Sequence, residues 1–268
     1  MKKHTIITGA SSGLGKAFAF ELASKNKNLI LVSLPNENLY QIAHFIEQKY
    51  KVDTYIYETD LSQKASIEAF TEWLLQKNLE VDALINNAGI GGSMAFDQAD
   101  GDLIDLIIQI NVRATAMLTK SIISLLLKNE KSYILNVSSI AAFSPLPYKM
   151  VYPATKAFIY SFSMGLNAEF RHKGLRVSVV HPGAMPTNQD ILNRIEKQGW
   201  LGRIGTTKPD FVAKVAIQKA WSGQSVIVPG LVNRLNYWVF KFIPWAIIEP
   251  FVSRTIKREL VISKPKIA

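Results

Sequence analysis

Cysteine is absent from the 268-residue chain, which excludes disulfides, thiolate metal sites and a cysteine nucleophile together. Histidine is scarce. His4, His44, His172 and His181 stand far apart without the spacing of a ligand pair, so no metal site is expected. Long apolar runs are also lacking. The longest stretch without a charge, Ser132 to Tyr148, carries Asn136, four serines and two prolines, the wrong composition for a membrane span. The basic N-terminus runs after Ile7 into Gly and Ser rather than the apolar core of a signal peptide. A cytoplasmic protein is expected, or one peripheral to a membrane. The net charge of +10 comes without a basic run or an aromatic-interleaved RNA motif, so no nucleic acid partner is expected. Half of that excess lies in the last seventh of the chain, where Gly230 to Ala268 hold seven Lys and Arg against two acids, a net +5.

What is present is the composition of a folded α/β protein, 48% apolar and 19% charged. Short apolar runs at His4–Thr8, Asn28–Ser33, Asp53–Tyr57, Asp82–Asn86, Lys131–Ser138, Leu175–His181 and Ser225–Val228 read as about seven strands. Between them lie helical patterns at Gly15–Lys25, Glu37–Lys49, Ser62–Lys77, Gly101–Lys128, Val151–His172 and Pro209–Ser222. Strands apolar throughout and separated by helices predict a doubly wound parallel sheet of Rossmann type with helices on both faces. No repeat or linker interrupts residues 1–230, which read as one dinucleotide-binding and catalytic domain. Residues 231–268 read as its amphipathic, basic helical extension.

The first strand ends in Thr8-Gly9-Ala10-Ser11-Ser12-Gly13-Leu14-Gly15, directly before a helix. Glycines there let the backbone turn tightly and approach a pyrophosphate, and the helix N-terminus offers free N–H groups. Gly9, Ser11, Ser12, Gly13, Leu14 and Gly15 are therefore candidate cofactor contacts. The acid that usually binds the adenosine ribose is missing from the end of the second strand, Ser33-Leu34-Pro35-Asn36-Glu37. Glu37 reads as a first-turn residue of the next helix with Asn36 as its N-cap. Ser33 could bond a 2′-phosphate, and the balance favours NADP(H) over NAD(H), with both left open.

Tyr152 and Lys156, four residues apart, share one face of a helix. A carbonyl that accepts hydride also needs a proton, and a phenol is a poor acid or base near neutrality until a cation stabilises its phenolate. The spacing alone is cheap, because nine tyrosines predict on the order of one such pair by chance. Tyr237 and Lys241 match it too. Context separates the pairs: Ser139, at a strand end, stands thirteen residues before Tyr152, and Gln224 stands thirteen before Tyr237. Tyr237 and Lys241 read as an aromatic helix face with a snorkelling lysine.

The ordered set formed by Thr8 to Gly15, Asp60-Leu61, Asn86-Asn87-Ala88-Gly89, Asn111, Ser139, Tyr152 with Lys156, and Pro182-Gly183 with Thr187 resembles the short-chain dehydrogenase/reductase family, in its shorter single-domain branch. The resemblance runs from about Lys3 to Val228. It implies an NAD(P)-dependent oxidoreductase with Asn111, Ser139, Tyr152 and Lys156 as catalytic residues. It also implies Asp60 and Leu61 at the adenine, and Asn87, Ala88 and Gly89 lining the cofactor cleft. Pro182, Gly183 and Thr187 would lie at the nicotinamide half, and Tyr152 and Lys156 would touch the cofactor as well. Asn86 would support the neighbouring strand, and Asn111 would hold a water that feeds protons to Lys156, with an irregular helix at Ile110 to Ala114. The basic residue that many NADP-dependent members carry is absent at Ser12 and Leu34.

The reading is thus an enzyme, expected as a homo-oligomer, acting on a small carbonyl or alcohol. Asn188 to Lys208 reads as a lid whose Ile191, Leu192, Ile195, Trp200, Leu201 and Ile204 imply an apolar substrate. Two other readings stay open, a non-catalytic dinucleotide sensor and a membrane-associated adaptor. The tail sets Leu235, Trp238, Phe242 and Trp245 among Arg234, Lys241, Arg254, Lys257 and Arg258. It could dock on an anionic bilayer, cover the substrate cleft or form a dimer contact.

Overall fold

A computed structural model describes residues 2–149, 151–186, 192 and 205–261, and for residues 255 and 257–261 the backbone only. Seven strands form one parallel sheet: β1 (Lys3–Thr8), β2 (Asn28–Ser33), β3 (Thr54–Glu58), β4 (Glu80–Asn86), β5 (Ser132–Val137), β6 (Leu175–Val180) and β7 (Val226–Ile227). Their spatial order is β3-β2-β1-β4-β5-β6-β7. Each of the seven apolar runs supplies one strand. The order reverses between β1 and β4, and the crevice at such a switch point, outside the carboxyl ends of the strands, is where open α/β sheets bind ligands.

The helices between them are α1 (Gly13–Ala23), α2 (Leu39–Tyr50), α3 (Lys64–Gln76), α4 (Gly101–Ile108), α5 (Thr115–Leu126), α6 (Tyr152–Phe170) and α7 (Pro209–Trp221). Two more follow β7: α8 (Leu231–Phe242) and α9 (Trp245–Val261). Adjacent strand residues point to opposite faces, so each strand feeds two cores. Ile7, Leu31 and Val180 pack with Phe18 of α1, Ile46 of α2 and Val212 of α7. Ile6, Ile30 and Val177 pack with Phe70 of α3 and Ile122 of α5. Phe18 and Phe70 are both fully buried, each a contribution of roughly 1.5–3 kcal/mol.

Three departures from the expected helices bear on function. The first helix begins at Gly13 rather than Gly15, which brings its N-terminus up to the glycine turn. The second begins at Leu39 with Asn38 at its N-cap in the left-handed conformation, φ 57°, so the expected cap at Asn36 is wrong and Glu37 lies outside the helix. The long helix expected over Gly101–Lys128 is broken by a π-helical turn, Gln109–Ala114, at the place where irregularity was expected. By length and composition the stretch Gly101–Leu126 could cross a membrane. In the fold, Leu118, Ile122 and Leu126 of that stretch are buried in the core instead.

A buried polar chain sets the angle at which α6 meets the sheet. Asn86 Nδ2 donates to Asn136 Oδ1 at 2.8 Å and to Thr119 Oγ1 at 3.0 Å, and Asn136 Nδ2 donates to Ser163 Oγ at 2.8 Å. A buried amide left without partners costs about 1–3 kcal/mol. The chain therefore holds β4, β5, α5 and α6 in one register, with Asn86 in the supporting role expected of it.

Candidate active site

The glycine turn leaves β1 and enters α1 under tight steric control. Gly9 and Gly13 adopt left-handed backbone conformations, φ 64° and 52°, which favour glycine. A Cβ on Gly15 would lie 1.9 Å from the Gly9 carbonyl oxygen, so no side chain fits there. Asn87 Nδ2 donates to the carbonyls of Thr8 and Gly9 at 2.9 and 3.2 Å, while Thr8 Oγ1 accepts from the backbone N–H groups of Asn87 and Ala88 at 3.0 Å each. The turn is thus tied to the segment after β4. Gly89 is exposed, and a Cβ on it would meet Asn111 Oδ1 at 3.1 Å and Lys156 Nζ at 3.2 Å.

Among the other residues expected to touch a cofactor, Ser12 is exposed, and Leu14 and Leu61 are buried. Asp60 accepts from the backbone N–H and the hydroxyl of Ser62, both at 2.8 Å. Ser33 is buried with its hydroxyl donating to the Leu34 carbonyl at 3.0 Å. Ser11 Oγ donates instead to the Glu37 carboxylate. Glu37 thereby faces the glycine turn, a placement missed when it was read as a helix residue. The Asn36-Glu37-Asn38 sequence offered a signal, since asparagine tolerates the left-handed region and the two flanking asparagines adopt φ of 65° and 57°.

The four residues expected to do chemistry come together beyond the carboxyl ends of β4 and β5. Lys156 is 5% exposed. Its ammonium donates to the Val137 carbonyl at 3.0 Å and lies 5.6 Å from the centroid of the Tyr152 ring. Burial lowers its pKa to about 8, because removal from water disfavours the charged form. Burial raises the Tyr152 phenol above its ordinary value, and a hydrogen bond with Ser139 pulls it back down. Ser139 Oγ also accepts from the Ala141 N–H at 3.1 Å, which leaves its hydroxyl proton to donate. Asn111 comes from the π-helical turn. It exchanges two bonds with the Ile90 backbone, each at 2.9 Å, and donates to Thr155 Oγ1 at 3.0 Å. Thr155 Oγ1 donates in turn to the Tyr152 carbonyl at 2.7 Å.

Pro182 and Gly183 follow β6. The Pro182 carbonyl accepts from Ile140 N–H at 3.0 Å, and a Cβ on Gly183 would meet Asn233 Oδ1 at 2.4 Å. Thr187 and the lid residues Ile191, Ile195, Trp200, Leu201 and Ile204 lie outside the described residues. Two neighbours escaped the sequence reading. His181 sits under Ser139, and a Cβ on Gly91 would press on the Tyr152 ring at 3.0 Å. Strand register could have found His181, since Val137 pairs with Val180 and puts the next residues of both strands in one layer.

The sequence pattern described as short chain dehydrogenase matches residues 3–197. The chain belongs to that family. It is an oxidoreductase of the hydride-transferring kind found there. A relative called very-long-chain 3-oxoacyl-CoA reductase, from Anas platyrhynchos, is 32% identical over 94% of this chain and 80% of its own length. The 17-beta-hydroxysteroid dehydrogenase type 3 of Mus musculus is 34% identical over 70% of this chain and 61% of its own length, so the chain spans about three fifths of that relative. A solved structure of a short-chain dehydrogenase from Sphingobium yanoikuyae, in complex with NADPH, superposes with TM-score 0.74 at 25% identity, over 99% of this chain and 98% of the other.

Proposed function

We propose that this dehydrogenase reduces an apolar carbonyl with NADP(H), NAD(H) being the alternative, through Ser139, Tyr152, Lys156 and Asn111. The observation that carries this reading is the meeting of Ser139 with the Tyr152 phenol beside the Lys156 ammonium, beyond the carboxyl ends of β4 and β5 and close to Gly89. The turn suits a dinucleotide's phosphates, because Gly9 and Gly13 at positive φ, and Gly15 packed on the Gly9 carbonyl, bring the backbone tightly up to the N-terminus of α1.

Gly9, Ser11, Ser12, Gly13, Leu14 and Gly15 would hold the pyrophosphate. Asp60 and Leu61 would flank the adenine, with Ser33 nearer the ribose, and Asn87, Ala88 and Gly89 would line the middle of the cleft. Pro182, Gly183 and Thr187 would meet the nicotinamide half. When bound, the dinucleotide supplies the hydride. Ser139 orients the substrate oxygen by donating its hydroxyl proton, and Tyr152 gives its phenolic proton to the same oxygen. Lys156 stabilises the phenolate left behind and holds the cofactor's ribose hydroxyls. Asn111 fixes the Ile90 backbone and, through Thr155, the first turn of α6, and it supports the return of a proton to Tyr152.

The substrate reading rests on a cavity of about 680 Å³ lined mainly by apolar residues, Phe143, Pro145, Leu146, Ala157 and Trp245 among them, with Ser144 and Glu249 as its polar members. Its apolar walls suit an acyl or steroid-like carbonyl, in keeping with the names of the Anas and Mus relatives. The test is a panel of ketones and 3-oxoacyl thioesters offered with NADPH and with NADH, followed by nicotinamide absorbance. Turnover is expected with at least one apolar carbonyl, and faster with NADPH. Cofactor binding without oxidation by any carbonyl in the panel would favour the sensor reading instead.

A further inference from the structure

Helix α8 shows an unusual distribution of apolar side chains. Its buried residues are Asn233 and Tyr237, and they pack inward: Asn233 lies against Gly183, and Tyr237 meets the Phe143 ring at 4.7 Å. The large apolar residues face the other way. Leu231, Leu235, Trp238 and Phe242 are 76%, 64%, 52% and 69% exposed. At 3.6 residues per turn these four fall within about 60° of one another, on the side opposite Asn233 and Tyr237. Trp238 and Phe242 stack at 5.3 Å on this outer stripe. An ordinary surface helix has the reverse arrangement, apolar in and polar out.

The exposed stripe continues past the end of α8, where Ile243 and Ile247 are 39% and 60% exposed. Cations border it. Arg234 and Lys241 both fall on one flank of α8 by the same helical geometry, and both are exposed, as is Arg254 of α9. The segment from Gly230 onward carries a net +5. An aromatic and aliphatic stripe rimmed by cations is complementary to an anionic bilayer surface, where the rings enter the acyl boundary and the cations meet the headgroups.

We infer that α8 and the start of α9 dock this face on an anionic lipid surface, so that the cavity lined by Trp245 of α9 opens beside the bilayer and receives its substrate from there. The second half of this statement rests on the reductase reading; the docking does not. The inner face of α8 lies against Gly183 and Phe143, and the outer apolar face is left uncovered.

The test uses the 268-residue chain with vesicles of phosphatidylcholine alone and with phosphatidylglycerol added. Co-sedimentation is expected with the anionic vesicles, together with a blue shift of tryptophan emission and weakening by salt. The variant carrying Leu235→Ser, Trp238→Ser and Phe242→Ser is expected to lose about tenfold or more in partitioning, with an unchanged melting temperature. Turnover of a water-soluble carbonyl is expected to be unchanged as well, so loss of all turnover in the parent chain would count against the reductase reading and not against docking. Absence of binding to anionic vesicles by the parent chain overturns the proposal. So does a parent dimer that the triple variant converts to monomer without any vesicle binding, which would make the face a contact between copies.

Discussion

The Nδ1 atom of His181 lies 3.1 Å from the backbone oxygen of Ser139. A carbonyl only accepts, so Nδ1 carries the proton and the ring is held as one tautomer. His181 is fully buried among the rings of Phe143 and Tyr160, and its Nε2 has no partner among the described residues. It therefore supports the backbone of Ser139 as a neutral group.

Burial lowers the His181 pKa to about 4, with the backbone bond to Ser139 opposing the shift and the charge of Lys156 adding to it. Between pH 6.5 and about 4 the unfolded chain binds a proton that the folded chain does not. Stability is therefore expected to fall as the pH is lowered through that window, by up to about 3 kcal/mol from this group. Urea unfolding midpoints at pH 7 and pH 4.5 check it. His181→Gln should flatten the pH dependence, and an unchanged slope would show that the ring is not buried as a neutral base.

Lys156 supplies a second pH effect with a definite sign. Its pKa is lowered to about 8 by burial, so the ammonium proposed to stabilise the Tyr152 phenolate is lost as the pH rises through that value. The reductive kcat/KM is expected to be level near neutrality and to decline above about pH 8. Lys156→Met should lower kcat by about 100-fold or more. A profile that keeps rising to pH 10 would speak against a charged Lys156.

Glu37 stands at the glycine turn, where its carboxylate accepts from Ser11. A 2′-phosphate bound beside it would be repelled, so Glu37 limits the preference for NADPH rather than creating it. Glu37→Gln removes the charge and is expected to raise kcat/KM for NADPH relative to NADH by about tenfold, the scale of one charge contact near a surface. Steady-state kinetics with both cofactors measure the ratio. No change in the ratio would place the ribose away from Glu37.

The seven strands and the doubly wound parallel sheet were legible because parallel strands buried on both faces must be apolar along their whole length, as in Leu29 to Val32. The Tyr152–Lys156 pair stood out only in context. Lys241 Nζ lies 5.4 Å from the centroid of the Tyr237 ring and Lys156 Nζ 5.6 Å from that of Tyr152, yet the Tyr237 pair sits on α8, after the last strand. The Ser139 spacing and the ordered motifs separate the two, and geometry within the pair does not. What remained hidden depends on contacts between distant segments. Neither Ser11 with Glu37 nor His181 with Ser139 follows from any local period. The outward stripe of α8 was visible as an amphipathic pattern, but the pattern does not say which face is covered.

The central claim is that Tyr152 is the proton donor, and Tyr152→Phe tests it most directly. Phenylalanine keeps the ring beside Lys156 and Gly91 and removes only the hydroxyl. Turnover of a carbonyl that the parent chain reduces is to be followed by nicotinamide absorbance, with cofactor binding measured by fluorescence in the same preparation. A fall in kcat of about 100-fold or more with an unchanged cofactor Kd is the predicted result. Full turnover by the variant would contradict it.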